Sequence, residues 1–342
     1  LITDFGAIAN GITLNTESIQ NAIEACRQTG GGTIVIPPGR FLSGTLKLYS
    51  HVNLHLEAGS MLIGSSCLDD YYHSGFVHPD NYFSQVEQGK SLSLIFANKA
   101  ENVSINGSGT INLSSDAFFN FNAIKPIRGI DENEMTPEQW EEASVPKIAG
   151  PTQPIFFNKC IGVEISGVKI INSPSLTINL NACSDVRIHH TTIRNNLRVP
   201  ISDGIHICGS KDVIISDNLI ICGDDCVAIT GVTNWGGVSE RIIITNCSMQ
   251  SKSAAVRVGF MASKVRDVLI SNLTIHDTNR GFAIFAGDDG WVENVSIQNI
   301  VMQTQMFAGD WWGKGEPLVI CAAQSQGHIR HIQIRGVAAR AE

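Results

Sequence analysis

Three aspartates stand in two short phrases of similar form, a pattern that raises the question of acid–base chemistry. Asp203 lies in Ser-Asp-Gly ahead of Ile-His-Ile, and Asp224 and Asp225 lie in Gly-Asp-Asp-Cys ahead of Val-Ala-Ile. Carboxyl groups that are brought close together raise one another's pKa, so that one remains a proton donor near neutral pH while another acts as a base. Asp and Gly are also common turn residues. A catalytic cluster and two surface turns therefore both remain open at this point.

The strands that would position these phrases recur along the chain. A strand that begins with a β-branched residue repeats at intervals of 23 to 29 residues, with first apolar residues Val163, Val186, Val213, Ile242, Val268 and Val295. A second series runs in step with it, in LTINL, GIHI, CVAI, AVRV, GFAI and PLVI. Strands this short bury a core only when they are stacked coil on coil. The sequence predicts an all-β fold, a parallel β-helix in a single domain over residues 1–342.

Two segments depart from this repeat. Residues 15–32 predict a helix with three apolar residues on one face, capped by Asn15 or Thr16 and stopped by a run of glycines. Such a helix would cover the open N-terminal end of the coils. Residues 114–154 lack a strand period, and Thr136 begins a capping box for a short helix. We interpret residues 114–154 as an insertion beside the groove.

Several polar phrases are predicted to be turns. Four Asn-x-Ser or Asn-x-Thr triplets fall at repeat positions and are expected to form turns rather than to carry glycans; they begin at Asn102, Asn246, Asn272 and Asn294. A second acidic phrase, Ala-Gly-Asp-Asp-Gly at residues 286–290, is also interpreted as a turn.

The composition of the chain disfavours several classes of partner. The formal net charge of −8 disfavours nucleic acid and anionic membranes as partners, and no apolar run reaches the roughly 18 residues of a membrane span. The nine cysteines are expected to be mostly buried apolar residues, with no metal site and no cofactor. Two pairs that are each 25 residues apart, Cys183 with Cys208 and Cys222 with Cys247, are predicted to stack in adjacent coils.

The opening segment from DFGA to LEAGSMLIGS, the coil period and the Ser-Asp-Gly and Gly-Asp-Asp-Cys phrases resemble the polygalacturonase-type glycoside hydrolases of family 28. The resemblance covers nearly the whole chain apart from the insertion. It implies a right-handed, secreted or periplasmic β-helix that hydrolyses α-glycosidic bonds of a pectin-type polysaccharide or oligosaccharide with inversion. By analogy Asp224 would be the general acid, with Asp203 and Asp225 holding the nucleophilic water. Inversion needs carboxyl groups roughly 6.5–9.5 Å apart. Side chains on neighbouring strands, which lie about 4.8 Å apart, can reach across such a gap.

The chain departs from the family pattern at three places. The first motif reads Ile-Ser-Asp-Gly instead of Asn-Thr-Asp-Gly. Ser253 occupies the position of the His in the usual Gly-His-Gly, which assists the acid. Ala283 and Phe285 replace the Arg and Lys of the Arg-Ile-Lys that holds the galacturonate carboxylate. The resemblance therefore does not extend to these assisting and binding groups.

Other residues are candidates for contact with a substrate. His206 and Arg257 alternate with apolar residues, so both are expected to point outward from one sheet, two coils apart and near the aspartates. Arg257 would either pair with a substrate carboxylate or neutralise the aspartates. The adjacent tryptophans in GDWWGKGEP offer rings for sugar stacking. The further candidates are Ser253, Arg280, Trp311 and Trp312.

Three alternative functions belong to different classes. A hydrolase of a neutral α-glycan is consistent with the absent Arg-Ile-Lys. A polysaccharide lyase would bind Ca²⁺ through the three aspartates and use Arg257 as its base. A non-catalytic sugar-binding β-helix is consistent with the absent His. The sequence leaves open the sugar, the mode of attack on the polymer and the oligomeric state.

Overall fold

The computed structural model describes residues 1–76, 91–125, 127, 130–131, 134–232, 236–309, 311–322 and 326–342. Parts of two predicted features, at positions 126, 128, 129, 132 and 133 of the insertion and position 310 of the tryptophan phrase, lie outside the described residues. The chain winds in successive coils, and every strand pairing between coils is parallel. Each complete coil contributes strands to three faces.

The first face contains the strands that carry the repeated β-branched residue. Its members are β2 (Gly32–Ile36), β5 (Val52–Leu56), β8 (Glu101–Gly107), β11 (Ile161–Ser166), β14 (Ser184–His189), β17 (Lys211–Ser216), β20 (Ser239–Thr245) and the first halves of β23 (Lys264–Thr278), β25 (Trp291–Thr304) and β27 (His328–Ala341). The six predicted repeat residues, from Val163 to Val295, pair with one another in direct register. The predicted period is confirmed.

The second face follows the first around a corner. It contains β1 (Asn10–Leu14), β3 (Gly39–Ser43), β6 (Ser60–Gly64), β9 (Thr110–Asn112), β12 (Lys169–Ile171), β15 (Thr192–Arg194), β18 (Leu219–Cys222), β21 (Ser248–Ser251) and the second halves of β23, β25 and β27. Because the last three strands run through the corner, the first two faces form one continuous sheet.

The third face is a separate sheet and follows the acidic phrases. It contains β4 (Leu46–Leu48), β7 (Ile95–Asn98), β10 (Ile155–Asn158), β13 (Ile178–Asn181), β16 (Ile205–Cys208), β19 (Val227–Thr230), β22 (Ala254–Val258), β24 (Arg280–Ala286) and β26 (Leu318–Ala322). The second predicted strand series corresponds to its last six members. Side chains that point inward from all three faces are buried in one continuous apolar core.

The predicted N-terminal helix is shorter than expected. The helix α1 spans Thr16–Gln28 instead of residues 15–32, because Gly32 already begins β2. A side chain at Gly31 would approach the His51 carbonyl oxygen to 2.4 Å, so the chain needs glycine there. Asn15 is the N-cap, but its side chain makes no capping bond and instead accepts from the Ile8 N–H at 2.6 Å.

The predicted insertion contains a helix α2 (Pro137–Glu142), and Thr136 and Gln139 form the expected capping box. Short 3-10 helices occur at Ile2–Phe5, Leu68–Asp70 and Ser115–Ala117. In the described part of the chain, no helix has the length and apolar character needed to cross a membrane.

Most of the cysteines are buried, as predicted, but their stacking was predicted wrongly. All nine are free thiols, and the six in the middle of the chain are buried. Cys208 pairs with Asn181 and Thr230 instead of stacking on Cys183, and Cys222 pairs with Ser251 instead of Cys247. Coils differ in length at their corners, so an equal separation in sequence does not give an equal register.

Left-handed residues form the corners of the coils. In the first-face strands the residue before the repeated apolar one has a positive φ in coil after coil: Asn102, Gly162, Asp185, Asp212, Arg241, Asp267, Asn294 and His331. Asn, Asp and Gly tolerate this conformation best. The four Asn triplets all begin at positive-φ residues, but the predicted turn is found only at Asn246, because Asn102, Asn272 and Asn294 lie within β8, β23 and β25. Residues 288–289 of the second acidic phrase also form a turn.

A ladder of side-chain amides joins the corner between the first and second faces. Asn246 donates to Asp217 at 3.2 Å, Asn272 donates to Asn246 at 3.2 Å, and Asn299 donates to Asn272 at 3.3 Å. All four residues have φ between 56° and 58°. The ladder thus combines a backbone requirement with hydrogen bonds between coils.

The amide ladder predicts that two substitutions of Asn272 lower the stability of the fold by different amounts. Asn272→Ala places a Cβ-bearing residue without a polar side chain in the left-handed region and breaks the ladder, so we expect it to lose about 1–2 kcal/mol. Asn272→Gly keeps the backbone relaxed and should lose less. Differential scanning calorimetry gives the comparison, with Thr274→Ala on the same strand as a near-neutral control. An equal loss in the Gly and Ala variants would contradict the backbone contribution.

Candidate active site

The third face brings the two acidic phrases together. Asp203 lies just before β16, and Asp224 and Asp225 lie just before β19, the next strand of the face. The Gly204 N–H donates to the Asp225 carbonyl oxygen at 2.9 Å, which fixes the register of the two turns. The structure therefore places the three aspartates on neighbouring coils, as predicted.

Asp225 is held by three donors. Its Oδ1 accepts from the Ser253 hydroxyl at 2.8 Å and from the Ala254 N–H at 3.0 Å. Its Oδ2 accepts from Arg257 Nε in a buried ion pair. Both carboxylate oxygens are thus fixed in direction by hydrogen bonds.

Asp203 is paired with His206. The His206 Nδ1 lies 3.0 Å from Asp203 Oδ2, and Nε2 lies 3.2 Å from the Thr230 hydroxyl. Both side chains of the pair are almost completely buried. The Thr230 hydroxyl donates to the Ile207 carbonyl oxygen at 3.3 Å, so a ring that is protonated at both nitrogens satisfies every one of these partners.

Among the described residues, Asp224 differs from the other two aspartates because no basic side chain contacts it. Its Oδ1 accepts from the Asp225 N–H at 3.0 Å. Burial raises the pKa of Asp224 well above its ordinary value, and the nearby charges of Asp203 and Asp225 raise it further, whereas Arg257 and Ser253 oppose the change. Asp224 is therefore the carboxyl group of the site best suited to carry a proton.

The aspartates line a cavity of about 330 Å³. Its other walls come from β22, β24 and the loops around the third face. The lining residues are Leu176, Ile201, Asp203, His206, Asp224, Asp225, Ser253, Ala254, Arg257, Phe260, Arg280, Ala283, Phe285 and Trp312. We call this cavity the acidic pocket.

A column of outward-facing residues crosses the pocket. In register from coil to coil it contains Asn179, His206, Ala228, Arg257 and Ala283. His206 and Arg257 thus stand two coils apart, as the strand alternation predicts. All three of His206, Arg257 and Ala283 line the pocket.

Arg280 enters the pocket from the next coil. Its Nε lies 3.2 Å from Glu316 Oε2, which also accepts from the Lys314 N–H at 2.6 Å. Burial alone would raise the pKa of Glu316, but hydrogen bonds from the backbone, Lys314 first, and from Arg280 outweigh it and lower this pKa. Glu316 is therefore an ionised partner for Arg280.

The two tryptophans have different surroundings. Trp312 is 47% exposed and lines the pocket. Trp311 is buried, is not among the lining residues, and donates from Nε1 to the Glu142 carbonyl oxygen at 3.0 Å. The structure therefore brings Trp312 to the pocket and Trp311 to the insertion.

The end of α2 is a junction between the insertion and the tryptophan loop. Glu142 Oε2 accepts from the Ala308 N–H at 2.6 Å, and Glu142 Oε1 lies 3.6 Å from Lys252 Nζ. Lys252 also lies over the Phe307 ring. Burial lowers the pKa of Lys252 despite the neighbouring Glu142 charge.

Sequence reasoning missed part of the pocket wall. Phe260, Leu176 and Ile201 line the pocket, although none of them was predicted as a site residue and Ile201 was noted only as a departure from the family motif. Ile201 has φ of 62°, an unfavourable conformation for a β-branched residue that costs on the order of 1–3 kcal/mol. The position before Ser-Asp-Gly was the available signal. Among the described residues, no group of three or more His, Cys, Asp or Glu side chains is arranged to hold a metal ion.

Comparison with known proteins agrees with this architecture. An exopolygalacturonase from Thermotoga maritima superposes with a TM-score of 0.75 at 22% identity, covering 99% of this chain and 80% of that one. The family 28 exopolygalacturonase of Yersinia enterocolitica gives 0.76 at 21% identity, covering 100% of this chain and 65% of that one. The shared fold is the right-handed parallel β-helix, so the predicted fold class is confirmed.

Sequence comparison identifies the family. A probable polygalacturonase from Vitis vinifera is 24% identical over 329 residues, which cover 92% of this chain and 62% of the relative. The matched segments cover 62%, 67% and 66% of the length of three curated relatives. The family model described as "Glycosyl hydrolases family 28" matches residues 26–308. Since this match covers most of the chain, the protein belongs to glycosyl hydrolases family 28.

Proposed function

We propose that this protein hydrolyses α-glycosidic bonds in a pectin-type polysaccharide or oligosaccharide with inversion at the anomeric carbon. The observation that carries the proposal is the convergence of three carboxyl groups with different partners in one pocket. Membership of family 28 and the polygalacturonase relatives support the reaction class. We also propose that residues 1–342 form a single domain and that the protein is secreted or periplasmic, as suits a polymeric substrate.

Asp224 is the proposed general acid. Its raised pKa favours the protonated form, and the pocket leaves it partly open to a ligand. As the bond between the anomeric carbon and the glycosidic oxygen breaks, Asp224 gives its proton to that oxygen, which leaves as a hydroxyl group. The Asp224 carboxylate that remains regains a proton through solvent, and the carboxylate that accepted the proton of the attacking water releases that proton to solvent, so both groups return to their starting state.

Asp203 and Asp225 are proposed to position the nucleophilic water. The water attacks the anomeric carbon from the face opposite to the leaving oxygen and gives one proton to a carboxylate. Arg257 and Ser253 fix the Asp225 oxygens, and His206 fixes Asp203, so neither carboxylate needs to reorient during the reaction.

The remaining candidates are proposed to bind the sugar. Trp312 offers an exposed ring at the rim, and His206, Arg257 and Arg280 offer N–H groups inside the pocket. Ser253 takes the position of the family histidine, where it contacts Asp225 instead of supplying an imidazole. Trp311 is proposed to contribute indirectly, because its hydrogen bond to Glu142 anchors the loop that carries Trp312.

A neutral α-glycan is the second candidate substrate class. It is favoured by the apolar side chains of Ala283 and Phe285 at the positions where the resemblance leads one to expect Arg and Lys. Release of reducing ends from polygalacturonate, rhamnogalacturonan, dextran and an α-1,3-glucan separates the two candidates. An unsaturated product would indicate a lyase. No release of reducing ends from any of the substrates would favour a binding protein.

The proposed role of Asp224 as the general acid predicts the effect of replacing its carboxyl group with an uncharged amide. Asp224→Asn cannot donate a proton, so we expect hydrolysis to fall by about 10²- to 10⁴-fold. The control is Asp289→Asn, because Asp289 belongs to the similar acidic phrase but lies in a turn away from the pocket. Reducing-end release from the best substrate of the panel measures both. Undiminished hydrolysis by Asp224→Asn would refute the assignment.

The raised pKa of Asp224 also predicts that the substitution that lowers activity increases the stability of the fold at higher pH. The unfolded chain has an Asp pKa of about 3.9, so the stability from the retained proton is complete below about pH 4 and is lost as the pH rises through the folded pKa. Asp224→Asn removes this loss. We expect wild type and variant to unfold at similar temperatures near pH 4, and the variant to be the more stable near pH 8.

Calorimetric scans across this pH range provide the measurement. Asp289→Asn again serves as the control, with no widening difference expected. A stability difference between Asp224→Asn and wild type that stays constant with pH would contradict the shifted titration.

A further inference from the structure

Both arginines that line the acidic pocket are already paired with carboxylates of the chain. Arg257 Nε contacts Asp225, and this guanidinium also lies 5.1 Å from the centre of the Phe260 ring. Arg280 Nε contacts Glu316 at 3.2 Å and lies 5.8 Å from the centre of the Phe285 ring. Each cation is therefore enclosed between a carboxylate and an aromatic ring.

The charge balance disfavours an anionic sugar. With Asp224 protonated, Asp203, Asp225 and Glu316 supply three negative charges against the two arginines. Even an imidazolium at His206 would only neutralise the site. A carboxylate brought into the pocket would thus have to compete with Asp225 or Glu316 for its partner, at a cost in desolvation.

The wall beside the arginines is apolar. Ala283 and Phe285 point into the pocket from alternate positions of β24, and Phe260 closes the wall after β22. Ile201 lines the pocket although its left-handed backbone would suit Asn or Gly far better. This strained position therefore adds an apolar side chain to the wall where a relaxed one would carry a polar side chain or none.

We propose that the sugar unit bound against Ala283, Phe285 and Phe260 carries an uncharged group at C5. A methyl ester of a uronic acid, a hydroxymethyl group and a methyl group share this chemistry. The selection rests on the proposed function, because it concerns the substrate of the same site. Arg280 and its partner Glu316 act as specificity determinants: Glu316 cancels the charge that would otherwise attract a carboxylate.

Binding to a protein that cannot turn over its ligand tests this selection. Asp224→Asn is titrated calorimetrically with trigalacturonate, with its methyl ester and with a neutral α-linked galacto-oligosaccharide. We expect an uncharged probe to bind on the order of tenfold or more tightly than the free acid. Binding of the ester alone would identify an esterified uronate as the source, and binding of both uncharged probes would identify a general neutral sugar.

A second variant tests the role of the ion pair. Glu316→Gln, in the Asp224→Asn background, keeps the side-chain shape and leaves the charge of Arg280 uncompensated. We expect it to strengthen binding of trigalacturonate and to narrow the preference for the uncharged probe. Glu293→Gln is the matched control, because Glu293 pairs with His328 on the first face.

Each outcome separates this inference from the proposed reaction. Equal or tighter binding of the free acid, no binding of any probe, or an unchanged preference in Glu316→Gln would overturn the inference. Hydrolysis by the wild type is assayed on the same probes. An uncharged probe that binds selectively but is never cleaved would refute the proposed hydrolase and leave the selection standing.

Discussion

Direct register between coils is the constraint on which the rest of the structure depends. Each inward-facing Val or Ile rests on its equivalent one coil away, so the core is a set of columns. Parallel strands about 4.8 Å apart repeat any outward position at that same spacing. A site built on such a face needs no special loop to bring its groups together. The aspartates, His206 and Arg257 are neighbours because the core columns are aligned.

Alignment of three carboxyl groups on one face also creates electrostatic repulsion among them. Only two of the three have a basic side chain that offsets this repulsion. Asp225 has a guanidinium and Asp203 has an imidazole, whereas Asp224 is left to the burial and repulsion that favour its protonated form. The difference among three identical side chains arises entirely from their partners. The acidic pocket thus contains one carboxyl group whose pKa is raised and two carboxyl groups that are fixed by basic partners.

The sequence predicted what repeats and failed where the chain does not repeat. The Val and Ile columns, the left-handed Asn corners and the convergence of the aspartates all follow from periodic positions. The stacking of Cys183 on Cys208 was wrong because corner lengths vary between coils. The pairing of Arg280 with Glu316 and the separation of Trp311 from Trp312 depend on contacts made by the loop before β26, for which no period exists.

The contact between α2 and the tryptophan loop divides the molecule into parts that can change separately. Glu142 and Trp311 are 169 residues apart in sequence, yet their hydrogen bond anchors the loop that presents Trp312 at the rim. No strand of the third face takes part in this bond. Substitutions at this hydrogen bond would therefore reshape the entrance, because neither Glu142 nor Trp311 belongs to the strands that set the register of the aspartates. Evolution along this route can alter which chain ends or branches are admitted without rebuilding the chemistry beneath them.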